Sequence, residues 1–479
     1  MIANPLTKQQ LLSSHPAAVE LTAETVRNAR GSSAHRLVVL DDDPTGTQSV
    51  GDLPVLTGWT EEDLFWALNT GAPAVYVMTN SRSLAPDTAC TRIREVATNA
   101  LRAAARLGLV IDFVSRSDST LRGHFPLEPD VLAEVMAASS IPIDGVIIVP
   151  AFGDAGRITV DSIHYAGSEA DGFVPVGQTE FARDASFGYT ASDLREWVEE
   201  KSDGRYRASD VAAVNLDELR GDTHAVTEKL CGLVNGQPVV VDIVEETDLR
   251  ALSLAILAAE AEGKRFIYRV GPPFVRALIG QDVLDPLTSA DVADVRDGGV
   301  GEDAVGGLIA IGSHVAMTTR QLEALRERRH PTELEIDVQC VLGADRDAHL
   351  AILVDLAVQA LAEGNVVVRT SRTLVTGDDA DSSLHIARTI SDALVEVVQR
   401  ILAVRPPRFV VAKGGITSSD VASRGLGISR AIVRGPMLPG IVSLWEPSDG
   451  PARGIPYIVF AGNVGDDQGL ADVVDKLTA

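Results

Sequence analysis

The sequence predicts an α/β protein of two domains, each built on a largely parallel sheet flanked by helices, with a ligand cleft between them. Three observations predict it. Short β-branched runs alternate with longer helical stretches, the order that gives parallel sheets covered by helices. At 479 residues the chain exceeds what a single core normally supports. Between 280 and 306 the composition shifts to Asp, Gly and Ala with little periodicity, which suits a crossover between domains.

After a polar leader (1–35), strands are expected at 36–40, 74–79, 109–115, 145–149, 239–243 and 265–270. Helices are expected at 60–68, 86–107 and 249–261. A second unit restarts at 307–312, with further strands at 366–370, 408–412 and 457–460 and helices at 348–362 and 383–403. The expected organisation is therefore a leader (1–35), a first domain (36–290), a linker (291–306) and a second domain (307–479). In open α/β sheets ligands bind at the carboxyl edge of the strands, so the residues following each strand carry the functional reading.

Composition narrows that reading. A net charge of −25 argues against nucleic acid or an anionic membrane surface as partner. No apolar run approaches the roughly 18 residues that span a bilayer, and the N-terminus lacks a signal-peptide pattern, so a cytoplasmic protein is expected. Cys90, Cys231 and Cys340 are far apart, and the nine histidines show no HxH or HExxH spacing. Both features fit a reducing compartment and no zinc or other metal site built from such motifs.

Four successive strand ends in the first domain carry polar clusters. They are Asp41-Asp42-Asp43-Pro44-Thr45-Gly46, Thr79-Asn80-Ser81-Arg82, Arg116-Ser117-Asp118-Ser119-Thr120-Leu121-Arg122-Gly123, and Pro150-Ala151-Phe152-Gly153-Asp154-Ala155-Gly156-Arg157. In a parallel sheet all four converge on one rim. Arg82, Arg122 and Arg157 are suited to fork onto a carboxylate or phosphate, while Asp42, Asp43 and Asp118 are suited to accept hydrogen bonds from sugar hydroxyls. An acidic carbohydrate needs both halves of that set. Three adjacent carboxylates also repel, so a cation, a basic residue or a polyhydroxylated ligand is expected to offset them.

The apolar strand followed by Asp41-x-Asp43-x-Thr45 also matches the DxDxT signature of haloacid-dehalogenase-type phosphatases, with Asp41 as nucleophile and Asp43 as general acid. That chemistry needs a lysine and a later acidic pair. Only six lysines occur in the chain, none between Lys8 and Lys201, and Asp378-Asp379 is the pair on offer.

The second domain has Gly-rich turns at three strand ends: Gly312-Ser313-His314, Lys413-Gly414-Gly415-Ile416-Thr417 and Gly462-Asn463-Val464-Gly465. Backbone amides in such turns favour phosphate oxygens. A Walker A sequence is absent from the chain.

Taken together, the ordered motifs resemble the four-carbon acid sugar kinase family, formerly a domain of unknown function. Asp42-Asp43-Pro44-Thr45-Gly46 is similar to its DDxTG signature, Asn80-Ser81-Arg82 to its SR motif, and Asp118 to Gly123 to its DSTLRG motif. Pro150-Ala151-Phe152 with Gly156-Arg157, and Thr179-Glu180-Phe181 with Asp184, resemble two further segments. In the carboxyl half, Gly312-Ser313 with Thr318 and Gln321, Gly414-Gly415-Ile416-Thr417, and Gly462-Asn463-Val464-Gly465 resemble its GSxxxxTxxQ, GGxT and GNxG motifs. The resemblance extends from about residue 36 to the end.

It implies ATP- and Mg2+-dependent phosphorylation of a terminal hydroxyl on a small sugar acid such as a tetronate or oxo-tetronate. Asp42 or Asp43 would be the catalytic base. Thr45, Ser81, Arg82, Asp118, Ser119, Arg122 and Arg157 would contact the substrate, and Ser313, Lys413, Gly414, Gly415, Ile416, Thr417, Gly462 and Asn463 the nucleotide. A homodimer is compatible with this reading. Two departures stand out. Asp41 and Pro44 occupy places where members commonly carry alanine and leucine, and Phe460-Ala461 precedes the GNxG turn where members often carry a lysine. Lys413, on the neighbouring strand, is the expected substitute for that charge. The alternatives are a phosphatase using Asp41 and a non-catalytic protein that binds acid sugars.

Overall fold

The computed structural model describes residues 4–31, 35–296, 298–371 and 380–479. Among them the strands are, in chain order, β1 (His35–Asp41), β2 (Leu53–Leu56), β3 (Ala74–Met78), β4 (Val110–Arg116), β5 (Gly145–Val149), β6 (Arg157–Val160), β7 (Ile163–Ser168), β8 (Gly172–Pro175) and β9 (Ala212–Val214). They continue with β10 (Gln237–Val241), β11 (Phe266–Val270), β12 (Leu308–Ile311), β13 (Thr332–Ile336), β14 (Val366–Thr370), β15 (Val410–Lys413), β16 (Arg430–Leu438), β17 (Ile441–Pro447) and β18 (Tyr457–Phe460). The chain divides into two compact units. One comprises Met1–Gly46 and Trp59–Val283, the other Thr47–Gly58 and Leu284–Ala479.

In the first unit the strand order is β3-β1-β4-β11-β5-β10-β9, and every pair is parallel. The strands are near-continuous apolar runs because helices cover both faces. The helix Pro86–Leu107 shows why such a segment forms. Proline opens it, Gly108 closes it in the left-handed region, and Ala89, Ile93, Val96, Ala97, Ala100 and Ala104 fall on one buried face. Because β1 is followed by β3 on one side and β4 on the other, the chain reverses direction across the sheet at β1. Such a switch point leaves a crevice at the carboxyl ends of the strands. A separate antiparallel sheet, β6-β7-β8, completes the unit.

In the second unit the order is β13-β14-β12-β15-β18-β17-β16-β2. The first five strands are parallel and the last three join antiparallel. Its core gathers Ile309, Ile311, Val411, Ile458 and Phe460 from the strands with Leu322, Leu325, Leu470 and Val474 from the helices.

Three boundaries differ from the sequence reading. The leader holds two helices, Lys8–Leu11 and Ala23–Arg30; the second buries Ala23 and Val26, and Arg27 Nε donates to Gly280 O at 3.1 Å. The stretch read as a linker begins inside the helix Ser289–Arg296, whose Val292 and Val295 enter the core of the second unit. That helix has too few apolar residues for periodicity to reveal it. Finally, residues 47–58 lie in the second unit, where β2 pairs with β16. A four-residue strand gives no periodic signal of its partner. Asp378-Asp379 lie outside the described residues.

Residues 47–58 are tied in by Thr47, whose Oγ1 accepts from Trp445 Nε1 at 3.0 Å and donates to Ser443 Oγ at 3.0 Å, all three residues being buried. Thr47→Val keeps the shape and leaves the indole N–H without an acceptor. It is expected to cost about 1–3 kcal/mol, read as a lowered thermal or urea midpoint.

Candidate functional site

The parallel register of β1 and β4 sets Asp41 directly beside Arg116. Both are buried, and the Arg116 guanidinium ion-pairs with Asp41, donates to the Asp43 carbonyl and lies 3.5 Å from Asp42 Oδ1. One buried cation thus serves all three consecutive Asp residues. Gly46 closes over the pair, since a Cβ there would fall on the Asp41 carboxylate and Arg116 Nε.

Asp43 is committed differently. Its Oδ1 accepts from Thr45 N at 2.9 Å and from Thr45 Oγ1 at 2.5 Å, and its Oδ2 pairs with Arg82 Nη2. Arg82 Nη1 lies 3.6 Å from Asp118, whose Oδ2 takes Arg122 Nε at 2.7 Å, and Arg122 Nη1 lies 3.7 Å from Asp184. Carboxylate and guanidinium therefore alternate along the rim from Asp43 to Asp184. Burial would raise the Asp118 carboxyl, but Arg82 and Arg122 outweigh it and hold the group below its ordinary value. Arg122 and Arg157 both lie over the Phe181 ring, at 5.4 and 5.5 Å from its centroid, which gives the Thr179-Glu180-Phe181 segment a physical role.

Asp42 stands apart. It is 2% exposed, and neither carboxylate oxygen accepts a hydrogen bond from a described residue. Burial, reinforced by Glu128 and Asp43 against the pull of Arg82 and Arg269, pushes its carboxyl up to about 8. Gly123, at φ +115°, runs across it: a Cβ there would come within 3.0 Å of Asp42 Oδ2 and 2.9 Å of Arg269 Nη2. Only glycine supplies both that backbone conformation and that clearance.

Beneath the rim lies a buried polar layer absent from the sequence reading. Glu128 accepts from Ser81 Oγ at 2.5 Å, Ser115 Oγ at 2.5 Å and Arg269 Nη1 at 2.6 Å. Ser81 is therefore turned into this layer, fully buried, rather than toward the rim. Ser119 contributes through its backbone: its carbonyl accepts from His164 Nε2 at 2.8 Å, and the next carbonyl, of Thr120, accepts from Tyr189 OH at 2.6 Å. Burial holds His164 down at about 4, so the ring is neutral, with its proton on Nε2 and Nδ1 facing Thr159 Oγ1 at 2.9 Å.

In the second unit, β12, β15 and β18 are adjacent and parallel, which brings the three Gly-rich turns to one edge. A Cβ on Gly312 would fall on Thr417 Oγ1, one on Gly414 would come within 3.4 Å of Ser313 Cβ, and one on Gly462 within 2.6 Å of Ser313 Oγ. Thr318 Oγ1 lies 3.1 Å from Ser313 Oγ and 3.0 Å from Gly462 O, and Gln321 Nε2 donates to Val464 O at 3.0 Å. The Thr318 hydroxyl thus ties Ser313 to Gly462, and the Thr417 hydroxyl occupies the space that a side chain on Gly312 or Gly414 would need. Gly415 and Ile416 open the helix Gly415–Asp420, Ile416 is 66% exposed, and Asn463 is exposed.

Lys413 does not reach this edge. Register places it beside Phe460, and its Nζ lies 3.7 Å from that ring's centroid and donates to Ala461 O at 2.6 Å, fully buried. Burial pulls its ammonium down to about 7. Its charge is directed at the backbone before the GNxG turn instead of into solvent.

Asp41, sealed under Gly46 and paired with Arg116, has no open face for attack on a phosphate ester, so the geometry does not support the phosphatase reading. Arg116, Glu128 and Arg269 are site residues that the motifs missed. Arg116 borders the Asp118–Gly123 motif and closes β4, but Glu128 is one of three acidic residues in its helix and Arg269 a lone charge in an apolar strand, and neither has a motif around it.

Arg116→Met should destabilise the first unit by about 3–5 kcal/mol, because Asp41 is left as an uncompensated buried charge; chemical denaturation reads this. Folded, Asp42 keeps its proton up to about 8, whereas unfolded it loses it near 3.8. The folded chain therefore binds more protons between those values, and this contribution to stability is fully present below 3.8 and is lost as pH rises through about 8. The melting temperature of Asp42→Asn should accordingly fall less than that of wild type between pH 6 and pH 9.

Residues 37–278 match the family model of a sugar-binding N-terminal domain, and residues 308–470 that of a nucleotide-binding C-terminal domain. The chain is similar to a D-erythronate kinase of Heliobacterium modesticaldum, 25% identical over 463 residues that cover 92% of this chain and 97% of that protein. It is also similar to a 3-oxo-isoapionate kinase of Paraburkholderia graminis, 28% identical over 279 residues covering 55% of this chain and 57% of that protein. Among solved structures, a Salmonella typhimurium LT2 protein (TM-score 0.64, 17% identity, 92% of this chain and 98% of that one) shares the fold. So does a Haemophilus influenzae protein (TM-score 0.61, 18% identity, 91% and 99%). With both halves matched in order, the chain belongs to the four-carbon acid sugar kinase family.

Proposed function

We propose that this protein transfers the γ-phosphoryl group of ATP to a terminal hydroxyl of a small sugar acid, and that Asp42 is the proton acceptor. The observation that carries the assignment of Asp42 is its isolation. Asp41 is closely ion-paired with Arg116, Asp43 is held by Thr45 and Arg82, and Asp42 has no hydrogen-bond donor on either oxygen and only the Arg116 guanidinium, at 3.5 Å, as an ion-pair partner among the described residues. A carboxylate with a pKa near 8 is well matched to taking a hydroxyl proton close to neutral pH.

The other rim residues position the substrate. Arg82 and Arg122 are suited to orient its carboxylate, and Asp43 and Asp118 fix those two guanidiniums. Thr45, the Ser119 backbone and Arg157 complete the wall, while Ser81 acts from below through Glu128. In the second unit the turns at Ser313, Gly414 to Thr417, and Gly462 to Asn463 fit a polyphosphate. They are cradles that side chains would fill, and amides of a helix's first turn have no partner within the helix. Lys413 holds Ala461 and so acts on the turn, not on the nucleotide. ATP, when bound, supplies the phosphoryl group. Among the described residues no three His, Cys, Asp or Glu side chains are grouped to hold a metal ion, so Mg2+ is assigned to the nucleotide's phosphates, its usual ligands.

The test is ADP formation with ATP, Mg2+ and a panel of four-carbon sugar acids, D-erythronate and the threonates first; no turnover and no ATP binding by calorimetry would overturn the reading. Asp42→Asn should lower kcat by a factor of about 100 or more while sugar-acid binding survives. Asp43→Asn, which loosens Arg82, should act mainly on the KM for the sugar acid. In wild type, kcat/KM should climb with pH and level off above about 8, where Asp42 is deprotonated.

A further inference from the structure

The first unit contains a cavity of about 550 Å³ bounded by Arg82, Gly123, His124, Phe187 and Lys201. Its volume lies in the ordinary range of small-molecule sites, about 300–1,000 Å³. It borders the rim, because Gly123 is both part of its wall and the residue that crosses Asp42. We propose that this cavity receives the carboxylate end of the sugar acid and that Lys201 is the residue that selects for the negative charge. The proposal rests on the kinase reading above and deepens it.

Charge carries the inference. In a chain of net charge −25, none of the side chains lining this cavity is acidic. A larger cavity of the same unit, about 630 Å³, is lined by Asp154, Glu169, Glu245 and Glu246 as well as Lys8 and Arg276. Arg82 is already matched by Asp43 and Asp118, so it brings shape and donors but little net charge. Lys201 brings the charge. Lys8, Lys229 and Lys264 pair with Glu245, Glu218 and Asp144 at 2.7, 2.6 and 3.0 Å. Lys201 Nζ, by contrast, donates to Gly188 O at 3.1 Å and has no carboxylate within ion-pair distance among the described residues. An ammonium has three donors, and one backbone carbonyl takes one.

The wall is also preformed. Asp184 Oδ1 accepts the amides of Ser186 and Phe187 at 2.9 and 3.0 Å, and its other oxygen faces Arg122. Phe187 meets His124 edge-on at 5.0 Å, and His124 Nε2 is fixed by the carbonyls of Ser81 and Leu84 at 3.1 Å each. The turn that closes the rim's chain of ion pairs therefore also contributes Ser186 and Phe187 to the cavity wall. A small anion entering beside Gly123 would meet an aromatic wall, the Arg82 fork and an ammonium with donors to spare.

The experiment is calorimetric binding of D-erythronate, and of its uncharged amide, to the full chain without nucleotide, alongside steady-state kinetics with the same acid. Lys201→Met should weaken binding of the acid ten- to a hundredfold, leave the KM for ATP unchanged and abolish the preference for acid over amide. Lys201→Arg should restore most of it. Ser83→Glu, at an exposed position of the cavity wall, should weaken acid binding in the same direction without removing any existing contact to Lys201. Acid binding and turnover at wild-type level in both Lys201→Met and Ser83→Glu would overturn the cavity assignment and leave the kinase reading standing. Failure of the wild-type protein to bind or phosphorylate any sugar acid would overturn both.

Discussion

The Arg116 guanidinium is the interaction on which the polar rim of the first unit depends. Three consecutive carboxylates at the end of a buried strand cannot persist unless something offsets their repulsion. Arg116 does so from the adjacent strand, pairing with Asp41, reaching the Asp43 carbonyl and standing 3.5 Å from Asp42. Its burial makes the arrangement all-or-none: a buried pair contributes little net stability when complete and costs several kcal/mol when broken. Asp41 is explained as the partner of this cation, and Gly46 as the lid over them.

Once Asp41 is neutralised, its two neighbours take different roles through geometry alone. Asp43 is drawn into the chain of alternating charges that runs through Arg82, Asp118 and Arg122 to Asp184, so each guanidinium is held between carboxylates and kept in one orientation. Asp42 is left without a hydrogen-bond donor, and burial raises its pKa. The second unit uses the opposite device. Its edge is built of small residues and hydroxyls, with Thr318 and Thr417 closing the space between turns, and Lys413 is withdrawn to support the backbone.

Much of this was legible beforehand because strand ends carry their own punctuation. An apolar run that stops at Asp41, Thr79, Arg116 or Pro150 announces both the strand and the rim, and the Gly-rich stops after Ile311, Lys413 and Phe460 do the same. The strand at 145–149 and the helix at 86–107 appear with the expected bounds. Short or irregular pieces were not legible. β2, the β6-β7-β8 sheet, the Ser289–Arg296 helix and the β16-β17 hairpin have too few residues, or too mixed a pattern, for a period of 2 or 3.6 to stand out.

Sequence by itself determined the α/β class, the two-part organisation, the family and the set of polar clusters, because each of these is written in contiguous residues. Only the tertiary structure decided which group does what. Arg116 meets Asp41, Arg269 meets Glu128 and Ser115, and Lys413 meets Phe460 because parallel register and helix packing bring them side by side from distant parts of the chain. Ser81 turns inward to Glu128 and Lys201 faces an acid-free cavity for the same reason. A side chain's burial, partner and proton affinity depend on neighbours that linear order does not specify, and those neighbours separate Asp42 from the two aspartates beside it.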